Sequence, residues 1–416
     1  MGKTISEKIL SKASGEDAYA GDYITAEIET AMAQDGTAPL TIKAIEDMKG
    51  EKVWDPENIV LVMDHTVPSA SVGTSEMHEM MRDFASEMGI ENVYYGEGIC
   101  HQIMMEKGHV KPSTVVVGAD SHTCTYGALG AFGTGIGSTE MAGVFLSGSL
   151  WFKIPETMKF EVSGEFQNNV VSKDLALKVT GEVESDGATY KAVEYAGEPI
   201  EKMSVEKRMT LTNLAIEMGA KTGIVEPDEK VKKFLKNRVS GNIELTKNDK
   251  DAEYEETLYF EADDMEPQIA CPHQVDNVVP ITEAIGIELD QVFLGTCTNG
   301  RLPDLKAAAE ILEGKTIDPE IRMIVTPASR EIYKKALDLG IIDTFIDTGC
   351  IVANTGCGPC AGSHQGILAP GEKCLSTANR NFKGRMGSEE AEIYLGSPVT
   401  AAYSALKGKI SDPREV

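Results

Sequence analysis

Aromatic residues make up only 6% of this 416-residue chain, with two tryptophans, and no apolar run approaches the roughly 20 residues that span a bilayer. We therefore expect no transmembrane helix. The opening Met1-Gly2-Lys3-Thr4-Ile5-Ser6-Glu7-Lys8 has no apolar core, so no export signal is expected either. Basic residues are the other shortage: 39 Lys and Arg face 66 Asp and Glu, a net charge of −27. That balance argues against nucleic acid or an anionic membrane surface as a general partner. An anionic substrate would need local basic groups. A cytoplasmic protein is expected, in which the eight cysteines are reduced or metal-bound rather than disulfide-paired.

The 42% hydrophobic content is enough for roughly two to four domains with real cores. Short β-rich runs alternate with longer helical patterns, which predicts α/β layers around mostly parallel sheets. Three of these runs end in polar turns. Ile59-Val60-Leu61-Val62-Met63 leads into Asp64-His65, Val115-Val116-Val117 into Gly118-Ala119-Asp120-Ser121-His122-Thr123, and Val292-Phe293-Leu294 into the turn around Cys297. Sites in open α/β sheets lie beyond the carboxyl ends of strands, so these turns are expected to converge on one crevice.

Met77, Met80, Met81, Phe84 and Met88 follow helical spacing with Gly89 as the stop, which predicts a core-facing helix. The spacing Gly133-Thr134-Gly135-Ile136-Gly137 fails the dinucleotide fingerprint, and no phosphate-loop Lys-Ser/Thr pair follows it; tight backbone packing is expected. Nine acids and one lysine between Asp249 and Glu266 predict a solvated hairpin or loop, and with Pro267, Pro272 and Pro280 they mark the clearest domain boundary.

His65, His101 and His122 are the candidates for proton chemistry, because Asp64 and Asp120 share their turns. A carboxylate on one imidazole nitrogen fixes the tautomer and leaves the other nitrogen to move a proton near neutral pH. His78 and His109 lack that setting and are read as surface or structural residues. Arg380 and Arg385 offer planar forks suited to carboxylates.

Cys357-Gly358-Pro359-Cys360 and Cys297 admit three readings. The first is a thiol-redox pair, which leaves Cys297 unused. The second is a closed zinc site completed by His364. The third is an iron–sulfur cluster on three thiolates with one iron free to act as a Lewis acid. From these residues alone the cluster and the zinc site stand level. Cys100, Cys124, Cys271, Cys350 and Cys374 are expected as small buried residues.

Six motifs then occur in one order: Asp64-His65-Thr66-Val67-Pro68, Gly98-Ile99-Cys100-His101-Gln102, Gly118-Ala119-Asp120-Ser121-His122-Thr123, Gly295-Thr296-Cys297-Thr298-Asn299, Gly356-Cys357-Gly358-Pro359-Cys360 and Asn379-Arg380-Asn381-Phe382-Lys383-Gly384-Arg385. With them the chain resembles, over essentially its whole length, the large subunits of the 3-isopropylmalate dehydratase and homoaconitase family of the aconitase superfamily. The resemblance implies three-layer α/β/α aconitase-like domains around a central cleft, with bounds at 1–130, 131–275 and 276–416. It implies one [4Fe–4S] cluster per subunit, ligated by Cys297, Cys357 and Cys360. Asp64 is expected to pair with His65, Asp120 with His101, and Glu194 with His122. His65 is expected to protonate the departing hydroxyl. Gln34, Ser121, Asn379, Arg380 and Arg385 are expected at the substrate, with Asn299 near the cluster.

The same resemblance implies a hydro-lyase acting on a small dicarboxylic or tricarboxylic hydroxy acid. Dehydration of 2-isopropylmalate towards 3-isopropylmalate in leucine biosynthesis comes first, with homoaconitase and 2,3-dimethylmalate dehydratase as alternatives. Glutamine at 34, where these enzymes often carry histidine, weighs on the substrate. A separate small subunit, in a heterodimer or heterotetramer, is expected to supply a serine base and the specificity loop. A different reading makes the apo-protein an iron-responsive binder, against which the acidic balance weighs.

Overall fold

The computed structural model describes residues 2–241 and 243–416. Its first sheet has five parallel strands in the spatial order Val93–Tyr95, Ile59–Met63, Thr30–Gln34, Val115–Gly118, Phe132–Gly135. Alternate side chains enter two different cores. Ile59, Leu61, Met63, Val115 and Val117 pack under the helices Ile5–Ser14, Ala38–Asp47, Val72–Met88 and Ser138–Ser147, while Val60, Val62 and Val116 face Cys100–Glu106 and the turn Ser121–Leu129. Burial on both faces explains why these strands read as unbroken apolar runs. The chain order reverses between Thr30–Gln34 and Val115–Gly118, so a crevice opens beyond their carboxyl ends.

A second parallel sheet follows, in the order Thr222–Val225, Ala192–Ala196, Thr157–Ser163, Glu256–Glu261. Met158, Phe160 and Val162 point into the core and Lys159 and Glu161 point outward, an alternation that keeps one face polar. The acidic stretch expected as a hairpin or loop contributes an edge strand here, Glu256–Glu261. Its two acids, Glu256 and Glu261, are exposed, while its backbone gains a ladder along Thr157–Ser163.

The third sheet has seven strands. Gln268–Ala270 pairs antiparallel with both Val278–Pro280 at the edge and Glu392–Leu395; the other four, Lys373–Ser376, Gln291–Leu294, Arg322–Val325 and Ile351–Val352, continue in parallel with Glu392–Leu395. Its five parallel strands repeat the winding of the first sheet, with the reversal between Gln291–Leu294 and Lys373–Ser376. That places the turns after residues 294 and 376 side by side, and Gly295 N–H donates to Thr377 Oγ1 at 3.0 Å.

The methionine-rich helix spans Val72–Met88, capped by Ser71 and ended by Gly89 at φ 71°. It buries Met81 and Phe84 as predicted but leaves Met77 and Met80 exposed. Gly133 and Gly135 lie against the carbonyls of Thr123 and Asp120, where a side chain would clash, so these glycines seat the His122 turn on the sheet. No helix among the described residues is long and apolar enough to cross a membrane.

Candidate active site

Asp64 and His65 leave the carboxyl end of the strand Ile59–Met63. His65 Nδ1–H donates to Asp64 Oδ1 at 2.8 Å and lies 3.3 Å from Asp35 Oδ1. With both carboxylates on Nδ1, Nε2 is the nitrogen left for a substrate. Asp35 also accepts the backbone N–H groups of Asp64, His65 and Thr66 at 3.4, 3.1 and 3.1 Å, and the buried His78 Nε2 at 3.2 Å. His78 is thus a carboxylate-paired core residue, which its sequence setting had not indicated. Burial acts to raise Asp35, yet the hydrogen bonds from His65 and His78 hold it well below the usual carboxylate range. Burial acts to lower His65, but Cys357 and Asp64 hold it well above the ordinary imidazole value.

The second histidine lies on the helix Cys100–Glu106, whose first N–H is held by Asp64: Cys100 N–H donates to Asp64 Oδ2 at 2.6 Å. His101 Nε2 is 2.9 Å from Asp120 Oδ1, and its Nδ1 is 3.2 Å from the Tyr126 hydroxyl. Both of its nitrogens are therefore engaged. Asp120 caps the turn Ser121–Leu129 by accepting His122 N–H at 2.9 Å, and Gln34 Nε2 donates to its other oxygen at 3.3 Å. Three neighbours share one carboxylate, and against burial His101 foremost, then His122, hold it well below the usual range.

The expected partner of His122 has to be corrected. His122 Nε2 pairs with Glu217 Oε1 at 2.9 Å, and Arg380 Nε donates to the same oxygen at 2.8 Å. Glu194 lies elsewhere, under the second sheet's polar face, where its Oε1 accepts Asn248 Nδ2 at 2.7 Å and Tyr254 Oη at 3.2 Å. Its strand register, opposite Lys159 and Ile224, turns it away from the cleft. Glu217 and Asp35 were missed, yet each left a signal. Glu217 is a lone carboxylate in the apolar run Leu214-Ala215-Ile216-Glu217-Met218, which requires a buried partner. Asp35 stands just past a strand end, as Asp64 and Asp120 do.

The cysteines come from the third sheet. Cys297 follows Gln291–Leu294 through Thr296, held at φ 72°, a left-handed conformation that a β-branched residue keeps only when its surroundings enforce it. Its Sγ accepts Asn213 Nδ2 at 3.3 Å and Asn379 Nδ2 at 3.5 Å. Cys360 Sγ lies 3.9 Å from Asn379 Oδ1 and accepts Arg385 Nη2 at 3.7 Å, and Cys357 Sγ is 3.9 Å from Asp64 Oδ2. Asn299 does not line the cavity with them; its Nδ2 donates to Asp304 Oδ1 at 3.0 Å. The other five cysteines are buried except Cys271, which is half-buried.

All three sulfurs line one cavity of about 190 Å³, together with Gln34, His65, His101, Asp120, Ser121, His122, Asn379, Arg380 and Arg385. Asp64 stands directly behind His65. The thiols fit a metal group. Burial, reinforced by the charge of Cys360, pushes Cys297 up to about 11, and burial raises Cys357 as well. Three buried thiols lining one cavity ionise together only with added positive charge, and an all-sulfur set suits iron–sulfur or zinc chemistry. His364 does not join them: it is solvent-facing, bonded to the Pro68 carbonyl at 2.9 Å. That removes the fourth ligand of the closed zinc reading.

A doubly wound α/β chain with a three-sulfur cavity flanked by carboxylate-paired histidines and arginines defines the aconitase class. The sequence model of the aconitase family (aconitate hydratase) matches residues 7–286 and 282–408, and the chain belongs to this family, whose members imply an iron–sulfur cluster. More particularly, it is 55% identical over 415 residues to the 3-isopropylmalate dehydratase large subunit 1 of Methanopyrus kandleri, covering 100% of this chain and 99% of the relative. It is 49% identical to a probable methanogen homoaconitase large subunit of Methanothermobacter thermautotrophicus, covering 99% and 97%. The crystal structure of the holo-form of Thermococcus kodakaraensis aconitase X shares the fold, with a TM-score of 0.51 at 14% identity over 88% of each chain.

Proposed function

We propose that this chain is the large subunit of a hydro-lyase that removes and re-adds the hydroxyl group of a substituted malate, converting 2-isopropylmalate to 3-isopropylmalate in preference to homocitrate-type or dimethylmalate substrates. The carrying observation is the meeting of Cys297, Cys357 and Cys360 with His65, His122, Arg380 and Arg385 around one small cavity. Those three sulfurs would hold a [4Fe–4S] cluster, which when bound supplies a Lewis acid for the substrate hydroxyl.

The chain's own residues account for the remaining work. His65, with Nδ1 held by Asp64 and Asp35, keeps a proton at Nε2 for the departing hydroxide. Arg385 Nε has no partner among the described residues, so it is ready for a substrate carboxylate, as is the outer edge of Arg380, whose Nε is held by Glu217. Gln34 and Ser121 complete the rim, and His101, with both nitrogens occupied, orients Asp120.

The carbon-bound proton needs a base as well. We assign it to a separate small subunit, a partner in keeping with the "large subunit" names of the relatives. The same partner would carry the loop that selects the substituent. A cytoplasmic setting suits thiols that must stay reduced.

The test is anaerobic purification with a small-subunit partner, followed by assay on 2-isopropylmalate, homocitrate and 2,3-dimethylmalate. Turnover of 2-isopropylmalate only by the pair, with iron and sulfide bound, supports the reading. A colourless zinc protein, or full turnover by the chain alone, overturns it.

A further inference from the structure

Behind the cysteines lies a cation that the proposed chemistry does not use. Lys173, on the helix Ser172–Val183, is 0% exposed, and its Nζ donates to the carbonyls of Ala378 at 2.6 Å and Thr377 at 3.2 Å. Burying an ammonium is costly, and such groups persist where the surroundings are short of positive charge. Here the two carbonyls belong to the turn that carries Asn379. Thr377 Oγ1 joins that turn to Gly295 N–H at 3.0 Å, and Asn379 reaches both Cys297 Sγ, at 3.5 Å, and Cys360 Sγ, at 3.9 Å. Lys173 is thus one hydrogen bond behind the residue that touches two of the three sulfurs.

No carboxylate among the described residues forms an ion pair with it, and the nearby acids are bonded elsewhere. Asp174, its chain neighbour, gives one oxygen to Val171 N–H at 2.8 Å and the other to Gln268 N–H at 3.0 Å. Asp304 accepts Arg301 N–H at 3.1 Å and Asn299 Nδ2 at 3.0 Å. Arg301, also fully buried, holds the carbonyls of Cys297 and Thr298. In a chain of net charge −27, two fully buried cations therefore grip the two loops that meet at Cys297. Burial pulls Lys173 down to about 7, and the charge of Cys297 foremost, then of Asp174, works against that pull. Ionised sulfurs and a charged Lys173 favour each other.

We propose that Lys173 is a positioning residue for the metal group, its ammonium offsetting the charge of the thiolates while it fixes the turn that aims Asn379 at them. This rests on the reading above that Cys297, Cys357 and Cys360 hold a cluster.

The experiment uses the full-length chain and the variants Lys173→Gln, which keeps a donor without the charge, and Lys173→Met, which keeps neither. Each is reconstituted anaerobically with ferrous iron and sulfide. Iron and sulfide content, visible absorption and the rate of iron release to a chelator are followed, with circular-dichroism melting of each apo chain. We expect cooperative melting of the apo variants and iron release about 10–100-fold faster than wild type in both, the range typical of lost outer-shell support. Release from Lys173→Gln at the wild-type rate overturns the proposal. So does the loss of cooperative melting in both variants, since Lys173 would then serve the fold alone. If wild type itself takes up no iron or sulfide, the cluster assignment fails and this inference falls with it; uptake by wild type with unchanged release from the variants refutes only the role of Lys173.

Discussion

Glu217 Oε1 stands between His122 Nε2, at 2.9 Å, and Arg380 Nε, at 2.8 Å, so one buried oxygen ties a histidine of the first sheet to an arginine of the third. Replacing Glu217 with Gln removes the charge both partners face. We expect kcat/KM in the complete enzyme to drop about 10–100-fold, whereas Glu194→Gln leaves it within about twofold. Steady-state assays of both variants decide this, and the reverse ranking would restore Glu194 to the site.

Asp35 makes a second prediction. Asp35→Ala leaves the N–H groups of His65 and Thr66 and the ring of buried His78 without their acceptor, and unsatisfied buried donors cost about 1–3 kcal/mol each. The variant should unfold at lower urea concentration and lose kcat more than it raises KM, because the His65 loop drifts while the arginines remain. An unchanged kcat would show that Asp64 alone suffices to hold His65.

Glu194 yields a prediction about pH. Burial, reinforced by the charge of Glu226, raises its carboxyl from the ordinary 4.5 to about 7. Between those values the folded chain holds a proton that the unfolded chain has lost, so this group makes stability fall as pH rises through the window, and its cost is full above pH 7. Glu194→Gln should remove that slope and stabilise the chain at pH 8 by on the order of 3 kcal/mol relative to pH 4.5. Urea unfolding at both pH values measures it; parallel behaviour of wild type and variant would assign the slope elsewhere.

The zinc and cluster readings part in a fourth experiment. Cys297→Ser should lose most bound iron and sulfide after anaerobic reconstitution, while His364→Ala should keep the wild-type content, since His364 is solvent-facing and bonded to the Pro68 carbonyl. Metal lost from His364→Ala would reinstate that residue as a ligand.

The legible parts of this molecule were those whose signal is local. Asp64 with His65 share one turn, and the strand before them is buried on both faces, so pattern and spacing announced both. Glu217 is silent in that sense: its partner His122 lies far back in the sequence, and they are joined by the packing of the helix Val205–Leu214 and the turn Ala215–Met218, which carries Glu217, on the turn Ser121–Leu129. Glu194 failed for the complementary reason. A carboxylate in a strand has two faces to choose from, and the register of Ala192–Ala196 sends it away from the cleft. The edge strand Glu256–Glu261 was hidden by its charge, because an outer strand gains backbone pairing without needing an apolar face.

Asn213 comes from the helix Val205–Leu214, yet it donates to a sulfur at the end of a strand in another sheet. The cavity thus draws on turns from residue 34 to residue 385, closed by contacts of very long sequence separation. Such a pocket would not be organised early by a bound metal, as a short zinc-binding loop can be, because the chain entropy of gathering those turns must first be met by the two hydrophobic cores. On the cluster reading, iron and sulfide would therefore enter a chain that is already folded.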